Sequence, residues 1–219
     1  MGKKYNFFYR NSLTIVFMAM AAMALFAQAW FGLKEHNEFL KEHAQNEIGF
    51  GEYLTTGHFV QATFENWESE FLQMALFVIL TIFLRQRGSS ESKPLEGKDE
   101  VDREPKKSPD APWPVAKGGI ILTLYKNSLS IALFLLFIVS FIFHFAGSWK
   151  DYVQEQTLSN QPVDTMFQFF GGSKFWFESF QNWQSEFLSV ACIVYLSVYL
   201  RQKGSSQSKP VDAPHHETE

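Results

Sequence analysis

The chain has 219 residues, 46% of them hydrophobic, with 24 Phe, 6 Trp and a formal net charge of −4. Its one cysteine, Cys192, excludes an internal disulfide framework and any cysteine-based zinc site. No Gly-rich phosphate loop, nucleophile elbow, H-E-x-x-H or paired-Cys motif occurs, so no catalytic residue, cofactor or enzymatic activity is expected.

Residues 12–31, SLTIVFMAMAAMALFAQAWF, carry no charge and follow Lys3, Lys4 and Arg10. A bilayer core of roughly 30 Å needs about 20 mostly apolar helical residues, so this run predicts a transmembrane helix over 12–32. The same start fits a cleaved secretory signal ending at Ala27-Gln28-Ala29. The full helix at the equivalent place in the second half favours retention of residues 1–29 over cleavage. Beyond it, LKEHNEFLKEHA (33–44) predicts an amphipathic interfacial helix with Leu33, Leu40 and Ala44 on one side. His36, His43 and Glu47 can share a helical face near His58, a ligand set that suits a metal. The second half has no histidine in the matching loop, and no metal site is expected.

The second predicted span covers 66–85. One face reads Thr63, Asn66, Glu70, Gln73, Phe77, Thr81; the opposite face, Trp67, Phe71, Met74, Val78, Ile82, is apolar. In lipid the apolar face should look outward and the polar stripe toward other helices, with Trp67 at the outer interface. Residues 88–118, rich in Pro, Lys, Asp, Glu and Ser, bury too little to fold alone and predict a disordered linker. A third span is expected over 126–147 and a fourth over 182–201, and residues after Gly204 predict a disordered tail.

Sliding the chain by 116 residues aligns its halves. ENWESEFLQMALFVILTIFLRQRGSSESKP (65–94) and QNWQSEFLSVACIVYLSVYLRQKGSSQSKP (181–210) are identical at 18 positions. Tyr9-Arg10-Asn11-Ser12-Leu13 likewise falls on Tyr125-Lys126-Asn127-Ser128-Leu129. The chain therefore reads as an all-α membrane protein of two parallel hairpin repeats, 1–87 and 119–203, joined by the linker and followed by the 204–219 tail. Of the 19 basic residues, 15 lie on the N-terminal arm, the linker and the tail, which puts both termini in the cytoplasm.

Candidate functional residues follow from the polar stripe: Asn66, Glu70, Gln73 and, in the second copy, Asn182, Glu186, Ser189. Glu70 and Glu186 either cap the positive end of their helices or converge, in which case they share a proton or cation. The R-Q-[RK]-G segments suit helix ends on an anionic inner leaflet. Arg85, Arg87, Ser89, Ser90, Lys93, Arg201, Lys203, Ser205, Ser206 and Lys209 are candidates for cytoplasmic docking or anchoring, because a solvated spacer has no need of a fixed S-S-x-S-K-P order.

The motif N-W-x-S-E-F-L followed by F-L-R-Q-[RK]-G-S-S-x-S-K-P resembles a family of small bacterial membrane proteins known as a domain of unknown function. The matching positions are Asn66, Trp67, Ser69, Glu70, Phe71, Leu72, Arg85, Gln86, Gly88, Ser89, Ser90, Ser92, Lys93 and Pro94, with their partners in the second copy. The copies differ at Glu68 and Arg87, where the second has Gln184 and Lys203. The resemblance implies a bacterial inner-membrane protein and supplies no substrate, cofactor or catalytic residue. The expected role is a non-enzymatic accessory or structural protein, packed in the lipid bilayer against itself or a membrane-protein partner and away from nucleic acid. The alternative is a small proton- or cation-linked transporter or channel using Glu70 and Glu186.

Overall fold

A computed structural model describes residues 6–97 and 99–218. Four long helices dominate: α2 (Ser12–Glu42), α4 (Gly57–Phe83), α7 (Ser128–Leu158) and α9 (Ser173–Tyr199). Short helices flank them: α1 (Phe7–Arg10), α3 (Phe50–Tyr53), α5 (Trp113–Lys117), α6 (Gly119–Lys126) and α8 (Met166–Gly171), with a 3-10 turn at Glu100–Asp102. No strand occurs among the described residues. The bounds of α7 and α9 lie 116 residues beyond those of α2 and α4 at both ends.

Two helices, α2 and α7, are long and apolar enough to cross a membrane. Four such crossings were expected. The other two, α4 and α9, have 27 residues each but carry acids through their first halves, which shortens their apolar runs. At 31 residues α2 is about 46 Å long, more than a bilayer core requires. The amphipathic segment 33–44 is accordingly no separate helix: it continues α2 as far as Glu42. Both long helices end alike. Ala44 and Asn160 adopt left-handed backbone at φ 57° and 53°. The next residue's N–H then bonds back across the turn, Gln45 to the Leu40 carbonyl at 2.8 Å and Gln161 to that of Gln156 at 2.9 Å.

The chain forms two compact units, residues 1–64 with 142–175, and residues 65–141 with 176–219. In the first, α4 and α7 cross at backbone contact. A Cβ on Gly57 would meet the Asp151 nitrogen at 2.4 Å, and one on Gly147 the Gln61 nitrogen at 2.5 Å. Small residues at a crossing let helix backbones approach where no apolar driving force exists. Asn37 holds the following loop to α2 with two bonds, donating to the Ile48 carbonyl at 3.1 Å and accepting from its N–H at 2.9 Å. An aromatic core of Phe145, Trp149, Tyr152, Phe169 and Phe175 fills the other end of this unit, with Phe175 fully buried.

The metal ligand set read from the sequence does not assemble as expected. His43 turns its Nδ1 to the Phe39 carbonyl at 2.9 Å and stacks on Phe39, while Glu47 pairs with Lys41. His36 and His58 do come together, with ring centroids 5.3 Å apart.

Candidate functional site

The second unit brings the 65–83 part of α4 against the 176–199 part of α9. Between Gly57 and Phe83, and between Phe175 and Tyr199, neither helix carries a Lys or Arg. The carboxylates there must therefore be satisfied by neutral donors, protons or bound cations. Glu65 accepts from the Asn182 side-chain amide at 2.7 Å, and Glu68 accepts from the Trp183 indole N–H at 2.9 Å. Glu68 is fully buried, beside Ser69, Leu72 and Ala75.

One turn further, Glu70 and Glu186 lie close enough for their carboxyl groups to act on each other. Two ionised carboxylates this near each other repel, and a proton or cation between them relieves the repulsion. The arrangement can hold a single positive charge, as a proton or as a cation in its place. Glu186 is half-buried and Glu70 lies on the open side of the pair.

The remaining stripe residues divide. Asn182 is half-buried and also donates to the Glu178 carbonyl at 3.0 Å. Gln73 is half-buried, while Asn66 and Ser189 are exposed, Ser189 donating to the Glu186 carbonyl at 2.8 Å. The buried line of α4 runs through Glu68, Ser69, Leu72 and Ala75, so it is rotated from the expected Asn66, Glu70, Gln73 stripe. On α9, Trp183 turns toward α4 through its bond to Glu68, and Val198 is 6% exposed.

Sequence reasoning missed Glu65 and Glu68. Their signal was present in the mismatch between E-N-W-E (65–68) and Q-N-W-Q (181–184). The two acids that the second copy replaces with amides are the two whose carboxylates accept from the second copy's Asn182 and Trp183.

The R-Q-[RK]-G-S-S-x-S-K-P segments fold as helix ends, not as unstructured spacers. The Arg85 guanidinium donates to the carbonyls of Ile82 and Leu84 at 3.1 and 3.0 Å. Arg201 does the same to those of Val198 and Leu200, at 3.0 and 2.8 Å. The last carbonyls of each helix thereby gain partners. Gly88 and Gly204 have φ of 82° and 86°, the left-handed turn that glycine adopts freely. Two residues earlier the Gln86 and Gln202 N–H groups donate to Ser92 and Ser208 Oγ at 2.8 and 2.9 Å. Ser89 and Ser205 accept from the N–H two residues ahead. The third serine closes the loop and the first holds its turn, which is why the order is fixed.

Beyond that shared loop the copies diverge. Ser89 is buried against the Ser197 hydroxyl at 2.9 Å, Ser90 donates to the Gln207 carbonyl, and Lys93 pairs with Asp102. Lys209 is 1% exposed, its ammonium donating to the carbonyls of Pro214, His215 and Glu217. Arg87, Lys203 and Ser206 stay exposed.

No curated protein and no solved structure matches this sequence. A family model does match, over residues 4–219, and the chain belongs to that family, described as a domain of unknown function, DUF6766.

Proposed function

We propose that this chain is a four-span bacterial inner-membrane protein, a duplicated helical hairpin that binds one proton or cation at the Glu70–Glu186 pair and couples it to transport. The nearness of those two carboxyl groups, in a stretch of two helices without Lys or Arg, carries the reading. Membrane insertion of α4 and α9 is supported by the pairing of their acids with Asn182 and Trp183, since polar groups in hydrocarbon are tolerated when satisfied internally. The 15 basic residues on the arm, linker and tail argue for cytoplasmic termini.

The accessory-protein reading loses its sequence motive, because the S-S-x-S-K-P serines are engaged in the caps of their own helices. It keeps one support in the open apolar surfaces of α2 and α7, which a partner or a second copy would cover as well as lipid does. On either reading the protein is non-enzymatic.

The test is flux through the purified protein in liposomes loaded with a pH- or cation-sensitive dye. Ion flux in the unmodified protein that falls at least tenfold in Glu70→Gln and in Glu186→Gln supports the proposal. Absence of flux in the unmodified protein, or equal flux in the double variant, rejects it.

A further inference from the structure

The first unit contains a cleft of 280 Å³ lined by Glu35, His36, His58, Asp151 and Glu155, with Lys174 on its rim paired to Glu155 at 2.7 Å. Three carboxylates against one ammonium leave it electronegative. Acidic clefts are common, and the chemistry here lies in the histidines. His36 is 3% exposed, and its Nε2 has no hydrogen-bond partner. A buried nitrogen left bare costs free energy unless a ligand satisfies it. His58 sits beside it, with ring centroids 5.3 Å apart. Its Nδ1 is hydrogen-bonded to the Tyr53 hydroxyl at 2.9 Å, which leaves Nε2 as its remaining ligand atom.

Tyr53 is 1% exposed, and burial, with the charges of Glu35 and Asp151, pushes its phenol up to about 12. Its buried hydroxyl fixes the His58 ring through the 2.9 Å bond. Metal-binding imidazoles are oriented through their second nitrogen in this way. Gly32 makes room for it, since a Cβ there would lie 2.1 Å from the Tyr53 hydroxyl. Glu35 and His58 both lie close enough to His36 to act on its charge.

The second copy offers an internal comparison. At the positions 116 residues on, His36 and His58 are replaced by Tyr152 and Lys174, and Tyr53 by Phe169. There the Lys174 ammonium lies over the Tyr152 ring, 5.9 Å from its centroid. The second copy supplies a covalently attached cation where the first presents two imidazoles.

We propose that His36 and His58 bind a divalent transition-metal ion of the zinc class, with a cleft carboxylate from Glu35 or Asp151 as third ligand and water as fourth. Imidazole nitrogens with one carboxylate and an open position suit Zn²⁺ better than Ca²⁺ or Mg²⁺, which want oxygen alone. Glu35 and Asp151 line the same cleft as the two imidazoles. This site is independent of the Glu70–Glu186 pair.

The experiment is titration of the full chain in detergent with Zn²⁺ alone against a chromophoric chelator. It is run in a His215→Asn/His216→Asn background that removes the adjacent tail histidines as rivals. One ion per chain is expected, with affinity falling at least tenfold in His58→Asn and about tenfold in Tyr53→Phe. Glu70→Gln/Glu186→Gln should leave it unchanged. His36→Asn is the stronger variant but sits in the packed interior. Co²⁺ absorption of the otherwise unmodified background, showing nitrogen ligation, reports the same site without it. Loss of all binding in that background, or equal affinity with and without His58, overturns the proposal.

Discussion

Glycine to alanine in the middle of a helix normally stabilises a protein, by about 1 kcal/mol of helix propensity. Gly147→Ala should do the reverse. Gly147 lies inside α7, and a Cβ there would stand 2.5 Å from the Gln61 nitrogen and 3.0 Å from its Cα. Ordinary contacts begin near 3.5 Å, so the helices must part by about 1 Å or bend. The obstructing atoms are backbone, which cannot swing aside as the tip of a long side chain does. Overpacking of this kind costs about 1–3 kcal/mol, more than the propensity gain. A net loss of up to about 2 kcal/mol is therefore expected. Gly57→Ala should behave alike, because its Cβ would meet the Asp151 nitrogen at 2.4 Å and the Gly147 carbonyl oxygen at 2.7 Å. Gly51→Ala is the control: it lies in α3 with nothing within 4 Å. Unfolding by SDS titration, followed by far-UV circular dichroism at fixed detergent, separates the three. If Gly147→Ala and Gly51→Ala shift the midpoint in the same direction, the backbone crossing is wrong.

A double-mutant cycle of Glu68→Ala and Trp183→Phe should give a coupling energy of about 1.5–3 kcal/mol, the range for a hydrogen bond to a charged group, measured in the same SDS titration. Ser92→Ala and Ser208→Ala each free one helix-end N–H and should cost about 1 kcal/mol, with faster amide exchange at Gln86 and Gln202 respectively. Gly88→Ala should be much worse than Gly204→Ala. Both have positive φ, but only at Gly88 would the Cβ run into a backbone oxygen, that of His215, whereas Gly204 faces open space; comparative melting of the two variants reads this directly. Tyr53 binds its proton more tightly when folded than its ordinary value near 10, so stability should fall as pH rises from about 10 toward 12. Tyr53→Phe should remove that part of the alkaline loss, read as a flatter melting-temperature profile above pH 10.

The helical class, the long apolar helices and the 116-residue offset were all legible, because each rests on local pattern. Apolar runs place the starts of α2 and α7 within two residues, whereas α4 and α9 begin nine residues before the expected 66 and 182; Phe83 and Tyr199 end their helices just before the basic residues that cap them. Helix rotation was not legible. A stripe counted at spacings of three and four identified Asn66, Glu70 and Gln73 as the inward face, yet the buried line passes through Glu68, Ser69 and Leu72. The difference is about one residue, roughly 100° of turn, and side-chain polarity alone cannot decide it when both faces carry acids. The length of α2 was also underestimated, because its span was ended at residue 32 and 33–44 was read as a separate interfacial helix. Charges end an apolar run without ending a helix; what ends α2 is the left-handed residue at Ala44.

The two segments offset by 116 residues place like residues at matching positions, and Glu70 with Glu186 is one such pair. On the proposed reading those two carboxyl groups share one positive charge. Where the segments differ, unlike pairs form. Glutamate at 65 and 68 against glutamine at 181 and 184 leaves one copy with acceptors, while Asn182 and Trp183 of the other donate to them. The E-N-W-E and Q-N-W-Q mismatch therefore sets Glu65 and Glu68, which accept from neutral donors, apart from the Glu70–Glu186 pair. If Gln181 and Gln184 were both changed to Glu, residues 65–70 and 181–186 would together carry six acids with no added donor. The variant should then fold only at lower pH, where carboxyl groups protonate, and its folded fraction against pH is the measurement that distinguishes a mismatch kept for packing from one that drifted without consequence.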